Sequence, residues 1–387
     1  MEAKHFHIDI PESSLTDLHD RLQHTRWPDE LNNSDWEYGT NLAYLKELTQ
    51  YWKQDYDWRE NERRLNEWPH YKVTIDGQEI HFIHVRSTSP NALPIILTHG
   101  WPDSFLRFEK LIPMLTTPET FGGDASDAFD VVIPSLPGFA FSGTPDSPGG
   151  LFNIHNLWAK LMTDVLGYDK FVAHGGDWGS IITEHLARSH SRHVVGIHLT
   201  DVSFMHTFQK PNDLSEAEKK YFEEIEHYQR TENAYAMIQG TRPHTLGAGL
   251  SDSPVGLAAW ILEKFYSMSD CDGHVENRFT KDQLLTNISL YWHTRSVPSS
   301  FTHYFDTLHA NAFTWIGEKI KEWTGTSSVP AGFALFAKDN SHLPREWAER
   351  FFNVQRWTTL PHGGHFTAME EPKALARELI EFFRTLR

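Results

Sequence analysis

Residues Gly175-Gly176-Asp177-Trp178-Gly179 constrain this chain more than any other segment. The apolar run Lys170-Phe171-Val172-Ala173 precedes them. Ser180-Ile181-Ile182-Thr183-Glu184-His185-Leu186-Ala187, a helix-like stretch, follows. A buried strand, a glycine-rich turn and a helix, in that order, present one side chain at a sharp apex. Here that side chain is a carboxylate. It is ionised at neutral pH without help from a base, and when it attacks carbon it forms an alkyl ester. That chemistry suits displacement at an electrophilic carbon better than cleavage of an amide. The plainer alternative is an Asp that only caps the helix after a tight turn.

Composition narrows the setting. With 387 residues the chain suits one large α/β domain with insertions, or two to three modules. Apolar residues make up 39% and charged residues 22%, which favours a globular chain over a disordered one. Lys and Arg total 35 against 52 Asp and Glu, a net charge of −17. That balance argues against nucleic acid or an anionic membrane as partner. Cys271 is the single cysteine, so neither an intrachain disulfide nor a cysteine-based metal cluster is expected. The 24 histidines show no ligand spacing with carboxylates, and no metal is expected. Met1-Glu2-Ala3-Lys4-His5-Phe6-His7 has no apolar core, and no apolar run reaches 18 residues. The expectation is a soluble, cytoplasmic protein without a membrane anchor.

The pattern changes along the chain. Residues 1–70 lack the rhythm of a sheet and read as a Trp-rich wrapping segment (Trp27, Trp36, Trp52, Trp58, Trp68). Within it, Leu15, Leu18 and Leu22 form one helical stripe after Pro11, and a second helix is expected over Asn41 to Trp58. From residue 71 strands alternate with helices. Tyr71–Ile75 and Ile80–Val85 flank Asp76-Gly77, a hairpin signature. Further strands are expected at Pro94–Thr98, Phe129–Pro134, Phe171–Ala173 and Val194–Leu199. This alternation predicts an α/β fold with a mostly parallel sheet. Residues 201–324 are helical in character, and strands return near Gly332–Phe336 and Val354–Thr359. The expected organisation is a wrapping segment (1–70), a first core part (71–200), a helical cap insertion (201–324) and a second core part (325–387). Such a cap lies over strand ends, where ligands bind.

The strand–turn–helix around Asp177 resembles the nucleophile elbow of the α/β-hydrolase fold, where nucleophile, acid and histidine follow in chain order. Leu360-Pro361-His362-Gly363-Gly364-His365-Phe366 supplies the histidine. His365 follows the glycines and is preferred to His362. Asp339, at the end of the preceding strand, is the candidate acid, placed to orient the imidazole. The oxyanion hole would combine the backbone N–H of Trp178 with that of Trp101 in Thr98-His99-Gly100-Trp101-Pro102-Asp103. Gly100 is expected there for an unusual backbone angle. A cis bond before Pro102 fits this loop.

Taken together, His99-Gly100-Trp101-Pro102, the Asp177 pentapeptide and Gly363-Gly364-His365-Phe366 resemble the epoxide hydrolases of the microsomal type. Arg21-Leu22 with Thr25-Arg26-Trp27-Pro28-Asp29 resembles that family's wrapping segment. Residues 252–265 and 284–292 resemble its cap. The resemblance covers essentially the whole chain. It implies an α/β-hydrolase fold with a cap, hydrolysis of a small apolar epoxide by water without a cofactor, and two cap tyrosines on the epoxide oxygen. Tyr235 and Tyr304 occupy the matching positions, while Tyr228, Tyr266 and Tyr291 read as packing residues. Mammalian members begin with a membrane-anchoring helix, which is not read here. Some relatives carry Glu where this chain has Asp339. The resemblance leaves a homodimer open. Other readings are a dehalogenase, which would need halide donors such as the Trp178 indole, a silent ligand-binding relative, and a serine esterase, which Ser180 does not serve because it lies outside the apex.

Overall fold

The computed structural model describes residues 2–29, 35–146, 150–208, 210–309 and 326–387. One mixed sheet of nine strands organises them: β1 Lys4–Phe6, β2 His70–Ile75, β3 Gln78–Val85, β4 Leu93–Thr98, β5 Phe129–Pro134, β6 Phe171–Gly175, β7 Val194–Leu199, β8 Pro330–Phe336 and β9 Asn353–Leu360. Their order is β1-β2-β3-β5-β4-β6-β7-β8-β9. The first three strands and the β3–β5 pair are antiparallel, and every pair from β5 through β9 is parallel.

Side-chain alternation explains why the parallel strands read as continuous apolar runs. Ile96, Val132 and Ala173 enter one hydrophobic core. Their neighbours Ile95, Leu97, Val131, Ile133 and Val172 enter a second core on the opposite face. The β2–β3 turn has Asp76 at φ 51° and Gly77 at φ 85°, as a tight hairpin turn of this kind demands.

Two expectations for the first 70 residues need correction. Lys4–Phe6 adds an antiparallel edge strand to β2, so this segment is not free of the sheet. The helix expected over 41–58 is α2 (Leu42–Gln54), which ends short of it, and a separate helix, α3 (Trp58–Leu65), begins where the expected one was to stop. The break is chemical: the Asp57 side chain accepts from the N–H groups of Arg59 and Glu60 and starts a new helix. The first helix, α1, spans Glu12–Gln23.

Helices fill the stretch after β7. They include α7 (Glu216–Thr231), α8 (Ala234–Thr241), α9 (Pro243–Asp252), α10 (Pro254–Ser267), α11 (Lys281–His293), α12 (Val297–Ser300) and α13 (Thr302–His309). Capping boxes start two of them, Ser215 with Glu218 and Thr280 with Gln283. Residues 310–325, where the expected cap would end, lie outside the described residues. The N-terminal segment grips these helices: Arg21 Nη1 donates to Asp252 Oδ1 at 2.6 Å, Thr40 to the Ala259 carbonyl at 2.6 Å, and Tyr51 to Asp282 at 3.0 Å. Among the described residues no helix is long and apolar enough to cross a membrane.

Candidate active site

Five parallel strands deliver polar groups to one edge of the sheet, beyond their carboxyl ends. Asp177 follows β6 and precedes α6 (Trp178–Ser189). Its backbone is in the left-handed half of the map, φ 57° and ψ −131°, an unfavourable position for any residue with a Cβ. The surrounding packing enforces it. A Cβ on Gly179 would sit 2.0 Å from the Thr98 carbonyl oxygen, so only glycine lets the turn pass the end of β4.

Asp177 occupies the N-cap position of α6, but its side chain caps nothing. Instead Oδ1 accepts the Trp101 N–H at 2.9 Å, and Oδ2 lies 3.3 Å from His365 Nε2. The capping alternative therefore fails. Trp178 opens α6, so its N–H belongs to the helix end that lacks intrahelical partners and favours negative charge.

Gly100 was expected to supply an unusual backbone angle. Its actual reason is space: a Cβ there would lie 2.1 Å from Asp177 Oδ1. The Trp101–Pro102 bond is cis. Gly100 donates to Asp103 Oδ1 at 3.0 Å, and the other oxygen of Asp103 is paired with Arg107. Arg107 Nη2 in turn donates to the His365 carbonyl at 2.6 Å. Asp103 and Arg107 are both buried. Burial opposes the Asp103 charge, yet Arg107 and His99 hold its carboxyl well below the usual range. The ion pair thus ties the loop after β4 to the histidine loop.

His365 is buried, whereas His362 is exposed. Gly363, at φ 98°, makes the turn between them. His365 Nδ1 donates to Asp339 Oδ1 at 3.0 Å, so in the neutral ring the lone pair of Nε2 faces Asp177. Burial disfavours the imidazolium, but Asp339 and Asp177 outweigh it and raise the His365 pKa well above its usual value. Glu370 fixes the loop by accepting from the N–H groups of Asp270, Gly364 and Phe366 at 2.8–3.0 Å.

Tyr235 and Tyr304, on helices that follow β7, pack against the indoles of the residues flanking Asp177. Tyr235, on α8, stacks on the Trp101 indole with ring centroids 5.2 Å apart. Tyr304, on α13, meets Trp178 edge-on at 4.8 Å and Tyr235 at 6.0 Å. Burial, then the neighbouring phenol and Asp177, push the Tyr235 pKa well above 10; burial and Asp177 do the same at Tyr304. Both therefore stay protonated as hydrogen-bond donors at neutral pH. Of the remaining tyrosines, Tyr291 donates to the Asp103 carbonyl at 2.7 Å and Tyr266 stacks on Trp36 at 3.9 Å.

One acid of this site escaped the sequence reading. Asp201 follows β7, and its Oδ2 accepts the Asp177 N–H at 3.1 Å. Its Oδ1 is buried without a hydrogen-bond partner. Burial first, then Asp339, push its pKa up to about 7. Its place at the end of a parallel strand beside the elbow is the signal that could have found it.

The site brings together a carboxylate, an imidazole hydrogen-bonded to a second carboxylate, a backbone donor on the first carboxylate, and two phenols. The sequence matches the family description "Epoxide hydrolase N terminus" over residues 3–108 and "alpha/beta hydrolase fold" over residues 94–231. Epoxide hydrolase 1 of Sus scrofa is 36% identical over 409 residues, covering 98% of this chain and 88% of that protein. The structure of Aspergillus niger epoxide hydrolase superposes with a TM-score of 0.85 at 30% identity, covering 100% of this chain and 97% of the other. The juvenile hormone epoxide hydrolase of the silkworm Bombyx mori superposes with a TM-score of 0.83 at 28% identity, covering 100% and 94%.

Proposed function

Because this chain belongs to the epoxide hydrolases of the α/β-hydrolase fold, we propose that it converts epoxides to vicinal diols through an ester on Asp177. The observation that carries this reading is the Asp177 carboxylate, held between the Trp101 N–H at 2.9 Å and His365 Nε2 at 3.3 Å.

In the first half-reaction Tyr235 and Tyr304 donate hydrogen bonds to the epoxide oxygen. Asp177 Oδ2 attacks a ring carbon from the opposite side, and the carbon–oxygen bond of the ring breaks. The epoxide oxygen leaves as a hydroxyl once a proton reaches it from a phenol. In the second half-reaction His365 Nε2 takes a proton from water, and the hydroxide adds to the carboxyl carbon of Asp177. Charge collects on Oδ1, where the N–H groups of Trp101 and Trp178 stabilise it. Collapse breaks the bond between carboxyl carbon and Oδ2, and the His365 imidazolium returns its proton to Oδ2 as the diol leaves with it. The second proton of the water, left on the new Asp177 carboxyl oxygen, passes to the phenolate, which restores the tyrosine and the Asp177 carboxylate. Asp339 keeps the imidazole in the working tautomer throughout. The side chains and water supply every step.

A dehalogenase would use the same triad but place indole donors on the leaving group. Trp178 Nε1 is buried and has no hydrogen-bond partner, which is the one observation that favours that activity. Incubation with styrene oxide and with a chloroalkane separates the two. Diol formation with negligible chloride release is expected, and brisk chloride release without diol would refute the proposal.

A further inference from the structure

Lys264 lies in α10 and is only 4% exposed. Lysine is seldom buried so deeply without a partner and a purpose. Its ammonium pairs with the neighbouring Glu263 carboxylate at 2.7 Å. The same Nζ lies over the ring of Tyr235, 4.8 Å from the centroid. No step of the reaction uses this charge directly. Yet the ring it covers also stacks on Trp101, whose N–H holds the nucleophile.

An ammonium over an aromatic face is attracted by the π-electrons. The attraction grows when the ring carries negative charge. Tyr235 gains such charge as its proton moves toward the epoxide oxygen. The other groups facing this phenol work against that gain. Asp177, Tyr304 and burial all favour its neutral form, while Tyr228 alone among its phenol neighbours favours ionisation. A cation over the ring offsets those influences where no hydrogen bond to the hydroxyl would be disturbed.

We propose that Lys264 is a positioning residue for epoxide opening, whose buried ammonium over the Tyr235 ring strengthens that phenol as the donor to the epoxide oxygen. The inference rests on the reading of Tyr235 as an epoxide-activating group.

The test is a single-turnover measurement with enzyme in excess over styrene oxide, which resolves alkylation from ester hydrolysis. Lys264→Gln keeps a donor for Glu263 and removes the charge. It should slow alkylation roughly tenfold, leaving ester hydrolysis and apparent substrate affinity unchanged. Lys264→Arg should restore most of the rate. In a Tyr235→Phe background Lys264→Gln should have no further effect, whereas in Tyr304→Phe it should keep its full effect. If Lys264→Gln does not fold, the paired change Glu263→Gln with Lys264→Met leaves no unpaired carboxylate beside the buried position and takes its place. Alkylation within twofold of wild type in the neutral variant, with Tyr235→Phe slow, overturns the role of Lys264 and leaves the tyrosine reading standing. Effects of Lys264→Gln and Tyr235→Phe that multiply show that Lys264 acts elsewhere and also overturn it. Wild-type alkylation by Tyr235→Phe removes the tyrosine reading itself.

Discussion

At the residue scale, the site divides labour between groups that must be charged and groups that must not. Asp177 meets a backbone donor and an imidazole, whereas Tyr235 and Tyr304 sit where burial keeps them protonated. Tyr235→Phe or Tyr304→Phe should each slow alkylation by roughly tenfold to a few hundredfold, about 1.4–3 kcal/mol on the barrier. The double variant should be nearly inactive, and stopped-flow kinetics on an aryl epoxide measures both. Asp201 gives a prediction of a different sort. Its pKa in the fold, about 7, lies above that of an unfolded aspartate. Its favourable contribution is therefore complete below the unfolded value and is lost as pH rises through 7. Asp201→Asn keeps an oxygen for the Asp177 N–H. It should raise the denaturation midpoint relative to wild type at pH 8 more than at pH 5. An equal shift at both pH values would show that the carboxyl does not titrate in this window. Asp177, His365 and Asp339 were legible as candidates because each sits beside glycines or at the end of an apolar run. Lys264 was not, since nothing in its local sequence separates it from a surface lysine, and Asp201, although it follows the apolar strand Val194–Leu199, was passed over because a triad needs only one acid beyond the nucleophile.

At the scale of elements, legibility followed the range of the forces involved. The β2–β3 hairpin is specified by Asp76-Gly77, two residues that fix their own turn. The three-residue strand β1 exists only because a partner some 65 residues away offers an edge, and no local pattern records that. The start of α3 was readable in principle, as Asp57 precedes Glu60 by three residues, a spacing that marks a helix N-terminus. The link between loops was likewise invisible. Asp103 and Arg107 are four residues apart, and nothing in the sequence marks them as buried, yet they are, and they join the loop after β4 to the His365 carbonyl. Arg107→Met leaves Asp103 buried without its counter-ion and should cost about 3–5 kcal/mol in urea denaturation. A loss below about 1 kcal/mol would mean that the pair is effectively hydrated, in the range of surface ion pairs.

At the scale of the whole molecule, the sheet brings the ends of strands far apart in sequence to one edge, and the helices after β7 cover it. The N-terminal segment holds those helices from outside, with Arg21 on Asp252 and Thr40 on the Ala259 carbonyl. Asp177 and His365, the proposed nucleophile and water-activating base, thus arrive on different parts of the chain, and one substitution should uncouple them. In the proposed mechanism His365 acts only in the second half-reaction, so His365→Gln should open one epoxide and stall. Incubated with styrene oxide, the intact variant should gain the mass of one substrate molecule, and proteolysis should place that mass on the peptide containing Asp177. Diol release without any adduct, or an adduct on a peptide other than that of Asp177, would contradict the ester mechanism.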